Sequence, residues 1–305
     1  MPRTALRTGS AWPAALALAF AWACSGGSSA GDASLADLPA TPDLAQSDTD
    51  PGALDVPASD VSAPCSVLFG LPNDKTGLTS DQCQPSCRCG GKDFTPPAYT
   101  ESQIAAIAAM VPLDTLPPLA EDPYAHPESH VPAPDKVCGV LLDAQVPGGY
   151  HLQTYDGVNA AVAAGARVTH ENACGLCSPL QDLVVYMRNP DLTDPVRQCG
   201  LVGMFNGDDA QMQCLRDLGF DENCARIWFY NTKNTQAKCQ DLCMNALDQP
   251  YHNPDGTLNA CLVCDEVQSG PVFKAVAGRN RRNTGLPSSM CRPCSEVLPI
   301  VHDYR

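Results

Sequence analysis

Residues 170–188 read HENACGLCSPLQDLVVYMR, a Cys-x-x-Cys pair delivered onto the start of a helix. Ser178 is a good N-cap, Pro179 suits the first helical position, where its missing N–H costs nothing, and Gln181 completes a Ser-x-x-Gln capping box. The pattern therefore predicts a helix from Pro179. Leu180, Leu183, Val184 and Met187 recur at i, i+3, i+4 and i+7, so one face is expected to be buried, and Asn189-Pro190 stops the helix.

Cys177 lies just before that cap, where unpaired N–H groups and the positive end of the helix dipole stabilise a thiolate. His170 could add a proton acceptor or a cation. Cys177, Cys174 and His170 are thus the candidate catalytic residues if the protein is a thiol-dependent enzyme of Cys/His or disulfide-oxidoreductase type. The competing expectation is that both cysteines are half-cystines and His170 is a packing or surface residue; the cysteine content favours it. The run also half-matches the papain-like Cys-Gly-x-Cys-aromatic signature, with Ser178 in place of the aromatic residue.

The N-terminus is an export signal at residues 1–23. Arg3 and Arg7 form its basic region, residues 14–22 its short apolar region, and Ala21-Trp22-Ala23 places small residues at the cleavage positions. Cys24 followed by Ser-Gly-Gly-Ser-Ser resembles the N-terminus of bacterial lipoprotein precursors cut by signal peptidase II. The resemblance implies a diacylglycerol on Cys24 and a membrane partner through that lipid. Ala21-x-Ala23 equally satisfies ordinary signal peptidase, whose product would be secreted. Cysteine parity supports the lipid: of seventeen cysteines, assigning Cys24 to it leaves an even set from Cys65 to Cys294, all able to pair. In an exported chain this density reads as a disulfide framework whose connectivity does not follow from sequence. Cys261-x2-Cys264 and Cys291-x2-Cys294 have the spacing of a four-thiolate zinc site, but export favours disulfides, so no metal or other cofactor is expected.

Residues 24–64 are rich in Ala, Asp, Ser and Pro and contain no aromatic residue, so they read as a disordered, self-repelling tether. The net charge of −15 argues for solubility and against nucleic acid as a partner. Residues 65–135 are expected to form a small cysteine knob, a capped helix from Thr100 (Thr100 and Gln103 make a capping box) and a Pro-rich extended segment. Residues 136–305 are expected to be a helical cysteine-rich domain: a possible strand over Val137–Leu142, then helices opened near Asp156, Thr193, Asp208, Asp221, Thr235 and Ser269. The predicted class is mainly α, short disulfide-linked helices with little strand.

Lys274, Arg279, Arg281 and Arg282, set among glycines and Asn and Thr donors, form the one concentration of positive charge in an acidic chain and are the candidate anion-binding residues. The alternative is that they pair with the protein's own carboxylates and helix-end carbonyls. No P-loop, dinucleotide fingerprint, Gly-x-Ser-x-Gly or His-Glu-x-x-His occurs. The leading expectation is a lipid-anchored binding or interaction module of the cell envelope, at the outer membrane or cell surface, with an envelope or extracellular ligand that is anionic if the basic cluster receives it.

Overall fold

The computed structural model describes residues 65–304; the expected signal peptide, Cys24 and the expected tether lie outside the described residues. The expected strand Val137–Leu142 is there, and it is the centre of a sheet rather than an isolated piece. Chain order is β1 (Leu68–Phe69), β2 (Cys83–Gln84), β3 (Cys87–Cys89), β4 (Lys92–Phe94), α1 (Glu101–Ala108), β5 (Val111–Pro112), β6 (Val137–Leu142), β7 (Gly149–Tyr155), α2 (Val158–Ala163) and β8 (Arg167–Glu171). There follow α3 (Leu180–Arg188), α4 (Thr193–Asn206), α5 (Asp208–Asp217), α6 (Glu222–Asn245), α7 (Ala260–Gln268), α8 (Gly270–Ala277) and β9 (Arg292–Pro293). The mainly α expectation is therefore corrected: among the described residues the class is mixed α/β, with three sheets.

The largest sheet has the order β5-β7-β6-β8. β6 pairs antiparallel with β7, Val137 opposite Tyr155 and Leu142 opposite Tyr150, and antiparallel with β8 on its other edge. Side chains alternate across β6 as a pleated strand requires. Val140 and Leu142 face the main core with Tyr150, while Val137 and Leu141 face a smaller cluster with Tyr155 and Ala161 of α2. On β8 the alternation breaks. Cys138 pairs with His170 but Gly139 pairs with Val168, leaving Thr169 as an extra residue in a bulge. As a result two consecutive side chains, Thr169 and His170, are both fully buried. The broken period is why β8 does not read as a strand in sequence.

α3 is more deeply enclosed than one apolar face predicts. Leu180, Asp182, Leu183, Val184, Val185 and Tyr186 are all buried, and each aliphatic side chain among them contributes about 1.5–3 kcal/mol. Its cap also differs from expectation. The helix starts at Leu180 with no side-chain cap from Ser178; the Leu180 N–H donates instead to the Tyr150 hydroxyl at 2.9 Å, and that hydroxyl donates to Gln181 Oε1 at 3.0 Å. A tertiary partner from β7 has replaced the local capping box. The boxes at Thr100 and the cap at Asp221 form as the sequence predicts. Thr235 does not open a helix, because α6 runs unbroken for 24 residues and Thr235 lies inside it.

Eight disulfides join the sixteen described cysteines, so the framework is oxidised and the domain is extracytoplasmic. Two groups form ladders. Cys239 and Cys243, one turn apart on α6, take Cys264 and Cys261 of α7. Cys83 and Cys87 take Cys291 and Cys294, so the N-terminal knob is bonded to the C-terminal segment, where β1 also pairs with β9. The Cys-x2-Cys pairs at 261/264 and 291/294 thus belong to different ladders and do not converge on a zinc ion. Cys138–Cys174, Cys177–Cys224, Cys199–Cys214 and Cys65–Cys89 complete the set. The Pro-rich segment is ordered: Tyr124, in a 3-10 turn, donates its hydroxyl to Asn231 Oδ1 at 2.7 Å on α6.

Peptide mapping without reduction should recover Cys83–Cys291 and Cys177–Cys224 as cross-linked pairs, and the double replacement Cys83→Ala/Cys291→Ala should cost about 2–5 kcal/mol in denaturant unfolding. Recovery of Cys174 bonded to Cys177 would contradict this architecture.

Candidate functional site

The Cys-x-x-Cys loop serves the C-terminal end of α8. Leu176 N–H and Cys177 N–H donate to the carbonyls of Val276 and Ala277 at 2.9 and 2.8 Å, satisfying helix-end acceptors that would otherwise be orphaned. The approach is close enough to require glycine on both sides. A Cβ on Gly175 would lie 2.4 Å from Val276 O, and Gly278, at φ +69°, would place one 2.5 Å from Gly175 N. Cys174 and Cys177 are each bonded to distant partners, Cys138 and Cys224. In this state neither sulfur is a thiolate.

His170 is near this loop but faces Ser178. Its Nδ1–H donates to the Glu171 carbonyl at 2.6 Å, which leaves Nε2 to accept from the Ser178 hydroxyl at 2.7 Å. Ser178 Oγ in turn accepts the Gly175 N–H at 2.7 Å. The arrangement has the hydrogen-bond logic of a nucleophile and base, yet His170 and Ser178 are both fully buried, so no substrate reaches them and the pair braces the loop. Burial, with the Arg279 charge adding to it, holds the imidazole well below its ordinary value and therefore neutral.

The four candidate anion-binding cations separate. Arg279 is fully buried and turned inward: Nε donates to Cys177 O at 2.9 Å, Nη1 to Thr169 O at 3.1 Å, and Nη2 to Ser178 O and Thr169 Oγ1, both at 2.8 Å. All three guanidinium nitrogens are thus engaged by the protein, and burial lowers its pKa. Behind it the Tyr304 hydroxyl lies 2.8 Å from Thr169 Oγ1 and 2.9 Å from His302 Nδ1, and His302 Nε2–H donates to Thr284 O at 2.9 Å.

Lys274, Arg281 and Arg282 instead line one cleft, a cavity of about 230 Å³ between α4, α6, α7, α8 and the loop after α8. Val196, Met204, Met244, Leu247, Leu262 and Phe273 give it a mainly apolar surface, with Thr232, Gln236 and Gln240 of α6 also in its lining. Met204, Met244 and Leu247 form an exposed apolar lip. Trp228, the one tryptophan after residue 22, packs on Phe273 with ring centroids 4.5 Å apart. On the α7 side Asp265 accepts from Thr235 Oγ1 at 2.5 Å, and Thr235 and Asn234 both meet Ser269 Oγ. Burial raises Asp265 to about 6 against the opposing Thr235 hydrogen bond, while the side chain keeps contact with the cleft. Glu266 holds Lys274 at 3.2 Å and Arg282 at 3.7 Å, and Arg282 also reaches Glu296 at 3.6 Å.

Residues 208–300 are similar to a family of unknown function (DUF8771). The matched stretch includes α6, α7, α8 and the basic loop, and thus most of the cleft. Searches of characterised proteins and of solved structures found no match. The sequence-level cluster located three of the cleft's charged residues. It missed Trp228, Asp265 and the α4 wall, whose only signal was apolar spacing shared by any packed helix.

Two measurements check this geometry. Arg279→Lys keeps the charge but cannot span four acceptors, and it should cost on the order of 3 kcal/mol in denaturant unfolding. His302, lowered by burial from 6.5 to about 3, stays neutral in the fold while the unfolded chain takes up a proton below about 6.5. Its contribution is therefore present at neutral pH and lost as pH falls from 6.5 toward 3. Asp265 has the opposite sign between its unfolded value and about 6, so the informative quantity is a difference: His302→Asn should lose less stability between pH 7.5 and 4.5 than the parent protein does. Equal losses would refute the assignment.

Proposed function

We propose that the protein is a ligand-binding module of the cell envelope, held on its acidic tether by an acylated Cys24 and engaging its ligand in the α4/α6/α7/α8 cleft. The observation that carries this reading is the cleft: an apolar cavity with a few convergent polar groups, the usual character of a small-molecule site. Its frame is covalently fixed. α7 is bonded twice to α6, and Cys224 near the start of α6 is bonded to Cys177, so little ordering entropy is lost on binding. Most cleft residues, the α4 wall apart, lie in the part of the chain similar to the family of unknown function, which fits a role for the cleft in that family.

Location at the outer membrane or cell surface accords with the export signal, the residues around Cys24 and the oxidised framework; secretion is the alternative if ordinary signal peptidase removes the leader. No helix among the described residues is long and apolar enough to cross a membrane, so attachment of this region to one would rest on the lipid or on a partner. Thiol catalysis has no observation in its favour, since Cys174 and Cys177 both lie in disulfides.

Intact-mass measurement of the mature protein should find Cys24 at its N-terminus carrying acyl chains, and Cys24→Ala should move the protein from the membrane to the soluble fraction. Maturation unchanged by inhibition of signal peptidase II would overturn the anchor. For the cleft, solvent extraction of protein purified from its own host should release a small molecule that Gln240→Trp protein, narrowed at an exposed position lining the cleft, does not carry. Absence of any released molecule from the parent protein would count against the binding role.

A further inference from the structure

Two disulfides with different surroundings meet beside the β3–β4 hairpin. Cys65 and Cys89, bonded to each other, are both half-buried, whereas the Cys87–Cys294 bridge is buried at both ends. The bridges come together at one sulfur: Cys294 Sγ lies within 4.8 Å of the sulfurs of both Cys65 and Cys89. Cys87 and Cys89 are two residues apart on β3, so their side chains leave the same face of the strand. A sulfur bonded to Cys87 is therefore presented to Cys89 as well, roughly 6.6 Å along the strand.

Cys294 is held in place by more than its own bond. β9, immediately before it, pairs with β1, and Cys83–Cys291 anchors the same segment just upstream. Lys92, opposite Cys89 in the hairpin, donates to the carbonyls of Ser295 and Val297 just downstream. Breaking Cys87–Cys294 therefore leaves the Cys294 sulfur against the hairpin. Lys92 also sets a cation across the hairpin from Cys89, and a neighbouring cation favours the thiolate, the form of cysteine that attacks disulfides.

We propose that these four cysteines form a thiol–disulfide exchange centre, entered by an external dithiol at Cys65–Cys89 and joined to the buried bridge at Cys294. The dithiol reduces Cys65–Cys89 by two electrons, becoming a disulfide itself while both cysteines become thiols. The Cys89 thiolate then attacks Cys294 Sγ. The Cys89–Cys294 bond forms, the Cys87–Cys294 bond breaks, and Cys87 leaves as a thiolate that takes up the proton Cys89 released. This second step is redox-neutral. It moves the C-terminal attachment along β3 toward the hairpin turn, while Cys83–Cys291 keeps the knob covalently joined to the C-terminal segment.

Cys65→Ser leaves Cys89 without its partner and so starts the exchange with no reductant added. Blocked with N-ethylmaleimide and mapped without reduction, this variant should yield Cys89–Cys294 alongside Cys87–Cys294, with the label divided between Cys87 and Cys89. Trypsin cuts after Arg88 and so separates the two cysteines. In the full-length parent protein, limiting dithiothreitol should open Cys65–Cys89 first and then give the same Cys89–Cys294 product, with Cys83–Cys291 intact. A rate supplies a second readout. Cys65→Ser/Cys89→Ser removes the internal thiolate and should slow the opening of Cys87–Cys294 by dithiothreitol at least about tenfold, because an intramolecular nucleophile acts at a high effective concentration. A purely structural role for the outer bridge predicts the reverse, faster opening once it is gone. Label confined to Cys89 in Cys65→Ser, or a rate unchanged or raised in the double variant, overturns the proposal. A Cys65–Cys294 product in the reduced parent would overturn Cys89 as the attacking thiolate. If Cys65→Ser fails to fold, mapping of the partly reduced parent decides: Cys87–Cys294 as the sole Cys294 bridge after Cys65–Cys89 has opened also overturns the exchange.

Discussion

Arg279 is a cation sealed inside the protein with no carboxylate bonded to it, and four hydrogen bonds from its guanidinium hold together three segments far apart in sequence. The guanidinium reaches the bulge of β8 through Thr169, the Cys-x-x-Cys loop through Cys177 and Ser178, and belongs itself to the turn after α8. Only a planar fork can meet acceptors in this fan; a lysine would satisfy fewer and leave buried carbonyls open. Each acceptor is in place for its own reason. The bulge turns both Thr169 and His170 inward, His170 fixes Ser178, Ser178 holds Gly175, and the glycine pair lets the loop reach the end of α8.

The cleft depends on the same junction. α8 supplies Phe273 and Lys274 to its wall, and the loop that leaves α8 carries Arg281 and Arg282 to its edge. Arg281 then caps α3 through Asn189 and Pro190, so the packing of the core and the placement of a charged residue of the cleft share one segment. The disulfides fix α7 on α6 and the N-terminal knob on the C-terminal strand, and Cys243, Cys261 and Cys291 of these bridges line the cleft. Two neighbouring cysteines on each side make these ladders resist rotation as well as separation, which a single bridge does not.

Much of the local structure was legible. The capping box at Thr100, the cap at Asp221, the strand Val137–Leu142 and the helix opened by Gly270-Pro271 follow from residue types whose effects act within one turn of chain. The errors have physical causes of one kind. Ser178 carries every local feature of an N-cap, but His170 and Gly175 take its oxygen and Tyr150 replaces it. Thr235 carries the same features and spends its hydroxyl on Asp265 and Ser269 inside a continuous helix. β7 and β8 escaped because one has its apolar residues widely spaced and the other has its period broken by the bulge, so a mixed α/β protein read as mainly α. Of the four basic residues singled out, Lys274, Arg281 and Arg282 do line one cleft, whereas Arg279, identical in type and two positions from Arg281, is structural.

By itself the sequence determined that the cysteines beyond Cys24 form an even set suited to complete pairing, that positive charge is concentrated after residue 273, and where most helices begin, because parity, net charge and capping depend on composition or on neighbours along the chain. Tertiary structure alone decided which cysteine meets which, and which arginine is sealed inside and which line the cleft. Those properties depend on distances between segments up to two hundred residues apart, and a chain's one-dimensional order carries no direct measure of such distances.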